Sequence, residues 1–146
     1  MSREPLSVFV TTLDNAATLE RCLASVAFAD EIGLMRDGRL EQWDTAYNLY
    51  HRPRTRFVAD FIGQGVFLRG VAQPGDRVDT ELGALSGSTI ELPAGAALDV
   101  LLRPDDVVHD DDSPLRARVL AKSFRGAEFL YTLALTSGTQ VMSLVP

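Results

Sequence analysis

The feature that most limits how this chain can fold is the rhythm of its second half. From residue 65 onward, apolar and β-branched residues come in short runs with a repeat of two, at 66–71, 77–82, 89–92, 98–103, 115–124, 128–135 and 140–145. In the run 128–135, Phe129, Tyr131, Leu133 and Leu135 alternate with polar neighbours such as Glu128 and Thr132. Pro74-Gly75, Ser86-Gly87-Ser88, Pro93-Ala94-Gly95, Ser113-Pro114 and Ser137-Gly138 separate the runs. Side chains alternate faces along a strand but not along a helix, so this pattern predicts many short strands joined by tight turns. Strands this short and this evenly spaced close into a small antiparallel barrel or sandwich.

The first 64 residues follow other periods. Residues 6–12 form a short β-rich run, and Asp14 or Asn15 is placed to cap a helix behind it. Over 16–28, Leu19, Leu23 and Val26, with Ala16 and Cys22 beside them, share one helical face, while Glu20 and Arg21 point outward. Residues 32–36 and 39–43 read as a hairpin around Asp37-Gly38. Asp44 is placed to cap a short helix through Tyr50, which Arg52-Pro53 stops. A second helix spans 55–62, closed by Gly63 and Gly65. The expected fold class is α+β. A strand–helix–strand piece with a hairpin and short helical linker occupies 1–64, and a small OB-like antiparallel barrel occupies 65–146.

At 146 residues the chain is long enough for a real core. Seven bases face nine acids in residues 1–64, and seven face eleven in 65–146. Neither half carries the basic stripe of a broad nucleic-acid surface, so no nucleic-acid partner is expected. Cys22 is the single cysteine, which excludes an internal disulfide framework and a multi-cysteine zinc site. No stretch approaches the roughly 18 apolar residues of a membrane span, and Met1-Ser2-Arg3-Glu4-Pro5 does not open a signal peptide. A cytoplasmic protein is expected.

Few residues suggest chemistry. No glycine-rich phosphate loop precedes Lys122, the sole lysine, and no Gly-x-Ser-x-Gly elbow is present. Leu85-Ser86-Gly87-Ser88-Thr89 is similar to a nucleotide-contacting segment but reads as a hairpin turn between strands. Cys22 on an apolar helical face reads as a small core residue rather than a nucleophile. Asp105, Asp106, His109, Asp110, Asp111 and Asp112 are metal-ligand types, yet their spacing fits no EF-hand and the run reads as a solvated loop. His51 sits at a helix end, where it meets carbonyls more often than it acts as a base. Arg52, Arg54 and Arg56 read as a solvated linker face.

Residues 27–64 carry a specific resemblance. Met35, Gly38, Leu40 and Gln42 match a Met-x-x-Gly-x-hydrophobic-x-Gln pattern, and Thr45, Leu49, Tyr50 and Pro53 match the segment that follows it. Residues 55–63 then match a linker. Together they resemble the end of the ATP-binding subunit of an ABC importer, although Asp44 and Ala46 stand where Gly and Pro are usual. The resemblance implies that the β-rich remainder is a TOBE-type regulatory domain. Arg103-Pro104-Asp105 resembles its Arg-Pro-Glu strand end, and Phe124-Arg125-Gly126 its Phe-x-Gly turn. Phe61-Ile62-Gly63-Gln64-Gly65 looks more like the ferric-iron branch. The family commonly continues beyond the position of Pro146, so a truncated chain is expected.

Residues 6–32 resemble instead the opening of a GT-A-type inverting glycosyltransferase, and the importer's switch histidine is missing behind 9–11. The segment 27–32 suits both families, which points to a fusion joined there. The resemblance therefore implies a non-catalytic regulatory or dimerisation fragment of an importer ATPase, involved in solute uptake. No cofactor is expected for the chain itself, with ATP and magnesium belonging to a full-length parent. The implied partners are a second copy and, through the parent, membrane permease subunits. Regulatory-ligand or subunit contacts are expected at Arg103, Asp105, Phe124, Arg125 and Gly126. Two other readings stand beside it. One is a truncated glycosyltransferase or ATPase keeping some nucleotide affinity. The other is a free-standing barrel binding a metal or a small anion, held by Arg103 and Arg125.

Overall fold

The structure is a computed structural model that describes residues 7–9, 29–86 and 92–146. Its backbone divides into two units, Met1–Gln64 and Gly65–Pro146. In the first, β1 (Ser7–Phe9) runs parallel to β2 (Glu31–Arg36). A parallel neighbour needs a crossover between the strands. The helix expected at 16–28, with Cys22, and the rest of the strand expected at 6–12 lie outside the described residues.

Asp37 and Gly38 both take left-handed conformations, φ 50° and 74°, the two-residue turn that Asp-Gly favours. This turn leads from β2 into β3 (Arg39–Asp44), which pairs antiparallel with Gly33 opposite Trp43 and Leu34 opposite Gln42. Two short helices follow, α1 (Ala46–His51) and α2 (Arg56–Ile62). The cap of α1 is Thr45, not Asp44, because the Thr45 hydroxyl accepts the Asn48 N–H at 3.2 Å. Thr55 caps α2 in the same way through Val58. Gly63 ends α2 with φ −175°, an extended backbone, so the expected left-handed glycine cap is not used. Leu49 and Val58 are fully buried against Ile32 and Leu34, and Phe57, Phe61 and Ile62 close the edge of this small core.

The second unit contains β4 (Val66–Gln73), β5 (Arg77–Thr80), β6 (Gly83–Ser86), β7 (Ala97–Leu102), β8 (Arg118–Phe124), β9 (Phe129–Ala134) and β10 (Gln140–Val145). A 3-10 turn covers Pro104–Asp106. All pairings here are antiparallel, in two sheets ordered β6-β5-β4-β7 and β10-β9-β8. β10 packs on the 3-10 turn and on β4. The fold class is therefore α+β, with the short antiparallel strands of an OB-like domain in the second half.

The alternation read from sequence is clear in β4, where Leu68, Gly70 and Ala72 point inward while Arg69 and Val71 face out. Arg69 lies opposite Asp99 on β7, with 4.0 Å between their charged atoms. Three expectations change. Leu85 and Ser86 belong to β6, opposite Val78 and Arg77, so they are strand and not hairpin turn. Gly83, at φ 94°, makes the reversal two residues earlier. Of the run 89–92, residues 89–91 lie outside the described residues and Leu92 has no regular structure. The run 115–124 is strand only from Arg118, because local turn bonds hold the residues before it. The Leu115 N–H meets the Ser113 hydroxyl, and the Arg116 guanidinium meets the carbonyls of Ser113 and Leu115.

Candidate functional site

Arg103 and Asp105 stand together at the end of β7. Arg103 is 2% exposed and Pro104 is buried, whereas Asp105 is exposed. Proline at the start of the 3-10 turn needs no N–H partner there. The Arg103 N–H is satisfied instead by the Asp106 carboxylate at 2.7 Å, and the Arg103 carbonyl accepts the Asp106 N–H at 3.0 Å. The Arg103 guanidinium lies beside Gly65, where a Cβ would come within 3.1 Å of Nη1. The hydroxyl of buried Ser143 on β10 donates to the Val107 carbonyl and ties the last strand to this turn. Sequence offered Asp106 only as a metal-ligand type in a solvated loop, not as the cap of this turn, and Ser143 was not singled out. An acid three residues after the cap residue, here Arg103, is the capping-box spacing that marks Asp106. Ser143 carried no local signal.

Phe124, Arg125 and Gly126 lie elsewhere in the unit, at the β8–β9 reversal. The Arg125 N–H donates to the Glu128 carbonyl at 2.8 Å, and Gly126 has φ 91°, a conformation that favours glycine. The Phe124 ring is 5.0 Å from that of Phe129, and Lys122 Nζ sits 3.8 Å above the Phe129 ring and 5.3 Å from Tyr131. Arg103 is thus interior, while Phe124 is 65% exposed.

In the first unit Gln42 is the organising polar group. It is 2% exposed, its Nε2 donates to the Arg52 carbonyl at 3.2 Å, and its Oε1 accepts the Arg54 N–H at 2.8 Å. One side chain therefore replaces the backbone partners that a chain passing through Pro53 cannot make for itself. Gln42→Ala should lower the stability of this unit by about 1 kcal/mol, the scale of a polar group left without its partner. Urea titration followed by Trp43 fluorescence measures it.

Asp44, next to the cap, has its carboxyl held below the usual value near 3.8, first by the Asn48 side chain and then by the Thr45 N–H. A depressed folded pKa contributes stability above the unfolded value, and this is lost as pH falls through the folded one. Stability should therefore drop on acidification below about pH 3.8, and Asp44→Asn should flatten that part of the profile. Thermal melts across the acid range measure this.

The remaining candidates resolve into local bonding. His51 is exposed and lies against Tyr47 in a tilted contact and Tyr50 edge-on, with ring centroids 4.2 and 4.9 Å away. His109 Nε2 lies 3.1 Å from Asp111, and Asp110 accepts the Asp112 N–H at 2.9 Å. Among the described residues no three His, Cys, Asp or Glu side chains are grouped to hold a metal ion. No helix of the described residues is long and apolar enough to cross a membrane.

Comparison with known proteins shows what the chain is similar to. Residues 100–146, from late β7 through the Arg103 turn to β10, match the family described as the TOBE domain. The chain is also similar to import ATP-binding proteins. The spermidine/putrescine import ATP-binding protein PotA of Frankia alni is 32% identical over 138 residues, covering 80% of this chain and 30% of that protein. The corresponding protein of Methylococcus capsulatus is 31% identical over 127 residues, 80% of this chain and 33% of its own length. The sulfate/thiosulfate import ATP-binding protein CysA 2 of Chromobacterium violaceum is 33% identical over 112 residues, 70% of this chain and 29% of its own. The chain thus spans about a third of the length of these relatives. The resemblance to importer ATP-binding subunits stands at the level of class. Its ferric-iron refinement and the glycosyltransferase-like start gain no support from these similarities.

Proposed function

We propose that this chain is a non-catalytic regulatory portion of an ABC-type importer ATP-binding subunit. In this reading residues 65–146 form the regulatory domain, residues 1–64 are a strand–helix–strand remnant and helical linker in which 27–64 resemble the end of the ATP-binding subunit and 55–63 the linker itself, and the chain works on the cytoplasmic face of the inner membrane. One observation carries it. Similarity to import ATP-binding proteins runs over most of the chain, and the TOBE match falls on the half that the fold makes antiparallel β. The relatives' names favour a polyamine or sulfate as the solute. Ferric iron rests on 61–65 alone. Positioning and electrostatics make up most of phosphoryl-transfer catalysis, and the sequence carries no glycine-rich lysine loop for the phosphates. The contacts with a second copy and with permease subunits belong to this reading, as do subunit contacts at Arg103, Asp105, Phe124, Arg125 and Gly126.

A chimaera tests it. Residues 27–146 replace the matching part of the Methylococcus capsulatus spermidine/putrescine import ATP-binding protein, and ATP hydrolysis and polyamine uptake are measured. Retained hydrolysis with uptake still responsive to substrate supports the reading; an inactive but folded chimaera overturns it. Calorimetric titration of the isolated chain with MgATP should give no binding tighter than about 1 mM.

A further inference from the structure

We propose that the outer edge of β8 is a docking strand for an extended acidic segment of a partner protein. β8 is the last strand of its sheet, paired with β9 on one side only, and all seven of its residues are exposed. Its other edge, among the described residues, presents backbone N–H and C=O groups with no strand partner. Such an edge is a template for one more strand.

Its side chains state what that strand should carry. Residues 116–125 hold Arg116, Arg118, Lys122 and Arg125 with no acid, in a chain of net charge −6. Val119, Leu120 and Phe124 stand between these cations at 55%, 42% and 65% exposure. Lys122 Nζ lies over the rings of Phe129 and Tyr131 on β9, so its charge stays on the face of this sheet, one strand in from the open edge. At the other end, Arg116 and Arg118 line an open concavity of about 460 Å³ together with Ala134, Thr136 and Gly138. The shift in pairing between Val119 and Ala121 leaves Leu120 as an extra residue that twists the edge.

A second β8 is a poor occupant, because it would bring an equal set of cations against the first. The charges that discourage self-pairing favour an acidic, apolar-alternating strand, and long-range attraction would speed its capture. The proposal stands apart from the import reading and needs only the second unit.

The test uses the full chain and fluorescently labelled peptides of alternating valine and glutamate, or valine and lysine. Anisotropy should show binding of the glutamate peptide, weakened by salt, and at least about tenfold weaker binding of the lysine peptide, given the cost of like charges in contact. Arg118→Glu with Lys122→Glu should reverse that preference, and the peptide swap on the unaltered chain needs no variant to fold. Amide exchange at β8 should slow on binding. Equal binding of both peptides overturns the proposal. So does adsorption to phosphatidylglycerol vesicles without peptide binding, or loss of the β8 edge to self-association.

Discussion

Leu49→Ala should lower the stability of the first unit by about 2–5 kcal/mol, the range for removing a fully buried leucine and leaving a cavity. Leu49 has no exposed surface and sits among Ile32, Leu34 and Val58, so almost every atom removed leaves a contact behind. The site cannot relax easily, because Thr45 fixes the start of α1 and Gln42 pins the chain just beyond its end. Trp43, the only tryptophan, lies on β3 of the same unit and reports the transition. A urea midpoint shifted by less than the equivalent of about 1 kcal/mol would mean that Leu49 does not organise this core.

The second unit has its counterpart at Gly70. A Cβ there would lie 2.5 Å from the Val78 Cγ1 and 3.3 Å from the Thr80 Cγ2, on the neighbouring strand β5. Gly70→Val should cost about 1–3 kcal/mol by overpacking, although valine suits strands in general. Adding Val78→Ala should recover part of the loss, since it empties the space the new side chain enters. Thermal melts of both single variants and the double variant give the coupling. Additive losses would show that the clash at Val78 is not the cause.

The periodicity of the sequence carried much of the fold because burial on one face writes itself into alternate residues. β4, β7, β9 and β10 sit on or near their expected runs, and Asp37-Gly38 turns where it should. The misses share a physical cause. β6 is Gly83–Ser86, whose small and polar residues look like a turn. It is strand because Arg77 to Thr80 present a partner edge, which no local pattern reveals. The cap of α1 moved from Asp44 to Thr45 because both can accept an N–H and only backbone geometry chooses between them. For the candidate site, Arg103 and Asp105 were legible through the resemblance of 103–105 to a family strand end. That Arg103 is interior and Phe124 exterior was not. Distance in space between two hairpins is set by pairing far along the chain, as Ser143 reaching back to Val107 shows.

That last bond bears on how the second unit is made. Its innermost side chains include Val141 and Ser143, both from the six-residue strand β10. During synthesis the earlier strands emerge first and must wait with that side uncovered. A chain halted anywhere in 108–139 therefore lacks the interior contacts that Val141 and Ser143 supply, and leaves that side of β4 and of the 3-10 turn open.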